Sequence, residues 1–245
     1  MIRPTRDGST TRQSTDVPAT KLRATPTDAP DTPGYPSIES HTTIGRNRSY
    51  MEGSLGVATP EDASAIRSIY APYVEATPIT FETGAPTRAE MAARIETTRE
   101  QYPWLVYESR EETILGYATA GPLRSMGAYE WTAELTVYVA EDARRSGIGT
   151  ALYTALLELL TEQGYYNAAA AVTLPNPASV QLHEKHGFEP VGTFPAVGNK
   201  DGEWHDVQWW YRQLTERPAD PSPPEPFSVI EGSPAFERAL EADKR

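Results

Sequence analysis

The chain has 245 residues, no cysteine and a formal net charge of -12 at pH 7. The missing thiols exclude disulfides, thiolate metal sites and a cysteine nucleophile. The acidic balance, with four lysines against eighteen arginines, argues against a nucleic-acid partner, and no apolar run approaches the roughly eighteen residues of a membrane span, so no membrane partner is expected. Excess acidic charge is also one device of proteins that work at high salt, where screening relieves self-repulsion.

Residues 1–50 are rich in Thr, Ser, Pro, Asp and Arg and carry almost no periodic apolar pattern. They read as a disordered extension, because they have too little to bury to offset the entropy of ordering. Met51 stands just before the first patterned segment and is a second candidate start. The arginines of Met1–Thr10 lead into no apolar stretch, so no secretory leader is expected and a cytoplasmic location follows by default. One domain is expected over 51–215, followed by a Pro-rich tail over 216–245 that drapes over it.

Within the domain, Leu55–Ala58 reads as a strand. Thr59-Pro60-Glu61-Asp62 starts a helix, with Thr as N-cap, Pro at the first helical position and acids in the first turn. Ile66, Ile69, Tyr70, Tyr73 and Val74 give it an apolar face, which Pro72 should kink or end. A second helix is expected near residues 88–102. Trp104–Ser109 and Ile114–Ala120 form a hairpin around Arg110-Glu111-Glu112-Thr113. Glu134–Ala140 is a further strand, and Ile148, Leu152, Ala155, Leu156, Leu159 and Leu160 recur at helical spacing until Gly164. Ala168–Thr173, a short helix over 177–186 closed by Gly187, and a last strand over Val207–Leu214 complete a mixed α/β layer fold.

Arg144-Arg145-Ser146-Gly147-Ile148-Gly149-Thr150 lies between a strand and an amphipathic helix. Backbone N–H groups at the positive end of that helix make an anion site. Gly147 and Gly149 let the backbone approach a pyrophosphate, and Arg144 and Arg145 add charge. The turn has no Gly-Lys-Ser/Thr and so is not a Walker motif, and Leu152 stands where a dinucleotide fingerprint needs its third glycine. By itself such a turn supports only an anion-binding helix entry.

Its neighbours narrow the reading. Strand, R-x-x-G-x-G, helix, strand, Asn176-Pro177-Ala178-Ser179 and Gly187-Phe188 resemble the core of the GNAT acetyltransferases. Tyr102-Pro103-Trp104-Leu105-Val106, Ala128-Tyr129-Glu130-Trp131-Thr132-Ala133-Glu134, Thr136-Val137-Tyr138-Val139, Leu174-Pro175-Asn176, His183-Glu184 and Trp204-His205-Asp206-Val207 look like the phosphinothricin acetyltransferases over roughly residues 55–214. The resemblance implies a GNAT fold, with a mixed, mostly antiparallel sheet and helices on both faces. It implies acetyl-CoA as cosubstrate, with Val137, Tyr138 and Val139 on the pantetheine arm and Arg145 through Thr150 on the pyrophosphate. Asn176 at the next helix start, with Ser179 beside it, would meet the cofactor arm. It also implies a homodimer with the C-terminal strands near the interface.

Acetyl transfer to an amine needs the ammonium deprotonated and the departing thiolate stabilised or protonated. Glu134, at the start of the central strand, is the candidate base, and it matches the glutamate to which the family assigns that role. For His183 the resemblance implies protonation of the thiolate or orientation of substrate, and its ordinary pKa suits either. His183 and His186 are three residues apart, one short of H-E-x-x-H, so no metal is expected. An amino-acid-like substrate brings an acid group, for which Arg124, Lys200 and the hydroxyl of Tyr129 are candidate partners. Phe81, Tyr129 and Trp131 are candidates to line the pocket. Family members often have an arginine three residues before the tyrosine matching Tyr129 and an aromatic at the Asn199 position; Met126 and Asn199 stand here, which leaves the acceptor open. The expected reaction is direct transfer to the α-amine of a small amino-acid-like molecule. A protein N-terminus or polyamine as acceptor, or a non-catalytic acetyl-CoA-binding module, are the competing readings.

Overall fold

The structure, a computed structural model, describes residues 53–241. The expected disordered extension over 1–50, Met51 and the end of the tail beyond Glu241 lie outside the described residues. Seven strands form one sheet: β1 (Gly53–Val57), β2 (Trp104–Ser109), β3 (Ile114–Pro122), β4 (Thr132–Val139), β5 (Asn167–Thr173), β6 (Glu189–Lys200) and β7 (Glu203–Gln213). Their spatial order is β1-β2-β3-β4-β5-β7-β6. Every neighbouring pair is antiparallel except β4 with β5.

Helices cover both faces. On one, α1 (Ala63–Ala76) and α2 (Arg88–Arg99) pack Ile66, Tyr70, Met91 and Ile95 against Trp104, Val106 and Tyr117. On the other, α3 (Ile148–Glu162) sets Leu152, Leu156 and Leu159 against Leu105, Ala118 and Leu135. The chain enters α1 through a reciprocal cap in which the Thr59 backbone N–H donates to Asp62 Oδ2 at 2.7 Å. Thr87 and Glu90 repeat the device at α2, with Glu90 N–H donating to Thr87 Oγ1 at 3.2 Å. Each satisfies donors that a helix start leaves without partners. Pro72 does not end α1, which runs on to Ala76. Buried Ala71, Tyr73 and Val74 hold that last stretch on the sheet, so tertiary packing outweighs one missing backbone hydrogen bond.

The sequence reading contains no strand at β6. Its twelve residues are exposed almost throughout and include Pro190, Gly192, Pro195 and Gly198, so neither alternation nor composition marks it. It forms a long hairpin with β7 and is the free edge of the sheet.

The Pro-rich C-terminal segment does lie over the domain, and it contributes to the core. It carries α5 (Phe227–Ile230) and α6 (Pro234–Leu240), whose Phe227, Ile230, Phe236 and Ala239 join the α3 side of the core. Gln163, 1% exposed, fastens it: its Nε2 donates to the carbonyls of Gln101 and Glu225, both at 2.7 Å, and its own carbonyl accepts from Glu225 N–H at 2.8 Å. Phe227→Ala should lower unfolding free energy by about 3–5 kcal/mol, read as a lower denaturant midpoint; an unchanged midpoint would show that this segment contributes nothing to the domain.

Candidate active site

The site is built on a local failure of strand pairing. Along β3, β4 is paired from Ala133 to Val139. Along β5 it is paired only at Thr132, Ala133 and Glu134, opposite Asn167, Ala168 and Ala169, while β5 keeps its β7 partner to Thr173. Beyond Glu134 the two parallel strands therefore part and leave a wedge between them, with main-chain edges that have no strand partner among the described residues. Polar backbone in such a place calls for a ligand or water to bond it.

Past the far end of β4 a short 3-10 turn (Glu141–Ala143) leads into α3. Gly147, at φ +93°, caps the helix in the left-handed region, and no side chain caps it. A Cβ at Gly147 would meet nothing within 4 Å, so glycine is required there by backbone conformation. The space over the helix start stays open to an anion. At Gly149 an added Cβ would make only an ordinary contact, 3.7 Å from Val139 Cγ2. Ser146 Oγ donates to the Ala143 carbonyl at 2.5 Å, which shapes the turn. Arg144 turns away from it: its guanidinium lies 5.0 Å from the Tyr73 ring centre and its Nε donates to Tyr73 Oη at 3.3 Å. The sequence reading missed Lys185, whose Nζ donates to Thr150 Oγ1 at 3.3 Å and brings a cation to the same turn. It also missed Tyr73, whose hydroxyl donates to the Val139 carbonyl at 2.6 Å. Asn176 is the N-cap of α4 (Pro177–Lys185), its Oδ1 accepting from Ser179 N–H at 3.1 Å.

At the near end of the wedge stands Glu134, the last paired residue of β4. Alternation along the strand puts its side chain on the same face as Thr136 and Tyr138, toward α1 and α2, because Ala133 and Leu135 point into the α3 side of the core. Burial raises its pKa above the ordinary carboxylate value, and the charge of Arg124 opposes that rise. Arg124 is exposed, lies 5.6 Å from the ring centre of Trp209 and donates to the Leu123 carbonyl. Tyr129, in a 3-10 turn over Gly127–Tyr129, is exposed. Trp131 Nε1 donates to the Ser222 carbonyl at 2.8 Å, so the C-terminal segment anchors the loop that leads to Glu134.

Comparison with known proteins identifies the family. The acetyltransferase (GNAT) domain family matches residues 55–209. The chain belongs to that family. This GNAT acetyltransferase is 42% identical over 173 residues to the phosphinothricin N-acetyltransferase of Streptomyces viridochromogenes, covering 71% of this chain and 93% of that protein. It is 34% identical over 174 residues to the L-methionine sulfoximine/L-methionine sulfone acetyltransferase of Pseudomonas aeruginosa, covering 71% of this chain and 100% of that protein. Among solved structures, a GNAT phosphinothricin acetyltransferase from Sinorhizobium meliloti in complex with acetyl-CoA superposes with a TM-score of 0.67 at 33% identity, covering 75% of this chain and 96% of that one. The protein is thus an acyltransferase of the N-acetyltransferase class.

Two residues expected at the GNAT site are committed elsewhere. His183 is 3% exposed. Its Nδ1 faces the Ser179 carbonyl at 2.7 Å and must carry the proton, so its Nε2 accepts from the Tyr153 hydroxyl at 2.8 Å. Trp210 stacks on it and Phe188 meets its edge. Through these partners His183 ties α4 to α3 and β7. Lys200, 4% exposed, donates Nζ to the Thr80 carbonyl at 2.7 Å. A Cβ at Gly198 would fall on the Phe81 ring. Lys200 and Phe81 thus fasten the α1–α2 loop to the β6–β7 hairpin, with one of the three ammonium donors of Lys200 spent on the Thr80 carbonyl. Among the described residues no group of His, Asp or Glu is placed to hold a metal ion, and no helix is long and apolar enough to cross a membrane.

Burial lowers the pKa of both His183 and His186 from the ordinary 6.5. The unfolded chain then binds more protons than the folded one once the pH drops below about 6.5. Stability is full above that value and falls as the pH falls through it. Melting temperature should decline from about pH 7.5 to about pH 5.5, and His183→Gln should flatten the decline; a level wild-type profile over that interval would contradict the assignment.

Proposed function

We propose that the protein transfers acetyl from acetyl-CoA directly to the α-amine of a small amino-acid-like acceptor of the phosphinothricin, methionine sulfone or methionine sulfoximine type. The observation that carries this reading is the wedge itself: β4 loses its β5 partner at Glu134, and the same strand leads into an uncapped helix start. A carboxylate with a raised pKa stands at one end and an anion site at the other. The residues fit acetyl-CoA. Val137, Tyr138 and Val139 would offer main-chain groups to the arm, Arg145 through Thr150 would take the pyrophosphate with Lys185 beside them, and Asn176 and Ser179 flank the opening. When bound, acetyl-CoA supplies the activated thioester.

The protein's own groups supply the rest. Glu134 takes the ammonium proton of the acceptor, directly or through one water, and its desolvation makes it a stronger base than a free carboxylate. Arg124 adds positive charge near the same point for an acid group of the acceptor. His183 supports the chemistry from behind, by fixing the helix that begins at Asn176. An enzyme supplied with acetyl-CoA fits a cytoplasmic location.

The partner we infer is a second copy of this chain. Val191, Phe194, Val197 and Trp204, between 52% and 67% exposed, lie on the β6–β7 hairpin at the free edge of the sheet. Large apolar side chains along an open edge strand favour association. Light scattering should give twice the monomer mass, and Phe194→Lys with Trp204→Lys should return it to the monomer value; a monomeric wild type would sink the inference.

Because the protein has no cysteine, released CoA can be followed with a thiol reagent free of protein background. The expected result is turnover with phosphinothricin or methionine sulfone, and a loss of kcat on the order of 100-fold or more in Glu134→Gln with acetyl-CoA binding unchanged. Unchanged turnover in Glu134→Gln would reject the base assignment, and turnover only with a polyamine or a peptide N-terminus would reject the acceptor class.

A further inference from the structure

A cavity of about 280 Å³ lies under the α1–α2 loop, lined among others by Thr80, Glu82, Arg94, Trp104, Thr136 and Tyr138. It opens on the face of β4 that carries Glu134. Thr136 is the next residue on that face, roughly 7 Å further along the strand. The space is small for a ligand pocket, where about 300 Å³ is the lower end, and it suits one short side chain.

The walls are rich in hydrogen-bond donors. Arg94 is held by Glu82 in a two-pronged pair, Nη1 to Oε1 at 2.7 Å and Nη2 to Oε2 at 3.1 Å. That leaves the other donors of a five-donor guanidinium free of Glu82. Trp104 is 5% exposed, and its indole Nε1 is buried with no hydrogen-bond partner among the described residues, a state that costs free energy unless something accepts from it. The hydroxyls of Tyr70 and Thr80 bond each other at 2.8 Å, Tyr70 also meets Glu82, and Thr136 adds a further hydroxyl. Against these donors the lining offers a single carboxylate, Glu82, and Arg94 already neutralises it. An apolar side chain would leave this lining unsatisfied, and an ammonium would have to compete with Arg94 for the one carboxylate. A group made of oxygens matches it.

We propose that this cavity receives the oxygen-bearing side-chain terminus of the acceptor, with Arg94 as the specificity-determining cation and Glu82 as the residue that holds Arg94 in place. The proposal rests on the reading of Glu134 as the place of the acceptor amine.

The test compares L-methionine with L-methionine sulfone, which differ only by two oxygens on the sulfur, in calorimetric binding to the CoA-loaded protein. The wild type should bind the sulfone about tenfold more tightly or better, in keeping with a charge-assisted hydrogen bond. Arg94→Gln, a change at an exposed position, should bring the ratio close to one while leaving the affinity for methionine unchanged. Glu82→Gln, which keeps the shape but loosens the two-pronged hold on Arg94, should lower the ratio. Equal binding of the two ligands by the wild type, an unchanged ratio in Arg94→Gln, or an equal weakening of both ligands in that variant would each overturn the proposal. The two readings fail separately. An Arg94-dependent ratio without acetyl transfer would uphold the cavity and reject the proposed reaction, whereas acetyl transfer with a ratio indifferent to Arg94 would do the reverse.

Discussion

Everything at the site depends on β4 and β5 being parallel neighbours that pair at three positions and then separate. A strand in mid-sheet normally spends both of its edges on its neighbours. Here β4 spends one on β3 from Ala133 to Val139 and leaves most of the other without a strand partner among the described residues. The cost of such an edge is met because the rest of the sheet is well secured: β5 is paired to β7 over all of its residues, and α3 backs the opposite face with fully buried leucines. The wedge is therefore rigid on both sides, which is what positioning a reacting carbonyl against an amine requires.

The same geometry explains why the charged groups stand where they do. Glu134 occupies the last paired position, close enough to the core to be desolvated and far enough along to face the opening. At the other end the anion turn owes little to Arg144, which folds back on Tyr73, and more to main-chain amides and Gly147. Main-chain donors fixed by a helix do not reorganise when a ligand arrives, and they keep their charge at every pH. The histidine between these ends serves the frame. In its Nδ1-protonated form His183 joins α4, α3 and β7 through one hydrogen bond on each side of the ring and a stack on Trp210.

The elements beyond the sheet have a similar division of labour. The C-terminal segment reaches back over the domain, places Phe227 and Phe236 in the core, and within its Pro-rich run sets the Ser222 carbonyl on Trp131. The β6–β7 hairpin holds the α1–α2 loop through Lys200 and Phe81, so the roof of the Arg94 cavity is tied to the part of the sheet that carries exposed Val191, Phe194, Val197 and Trp204.

Much of this was legible in the linear chain because it is local. Thr59 with Asp62, the leucine spacing of α3 and the glycine turn before it are written within a few residues of one another, and they place six of the seven strands, the first four helices and the anion turn. Glu134 was singled out by its place at the start of the central strand and by its match to the glutamate of the family it resembles. What required the tertiary structure is whatever depends on partners far away in sequence. β6 has no periodic pattern because almost none of it is buried, and only its pairing with β7 makes it a strand. His183 and Lys200 carry the chemistry of site residues, yet a Tyr153 hydroxyl thirty residues away and a Thr80 carbonyl a hundred and twenty residues away decide what they do. Residue type and local spacing determined an α/β layer fold with a glycine turn at a helix start, and the resemblance of its motifs marked it as a GNAT acetyltransferase; which polar groups remain free to meet a substrate was decided by burial and long-range hydrogen bonds, and these exist only once the sheet has closed.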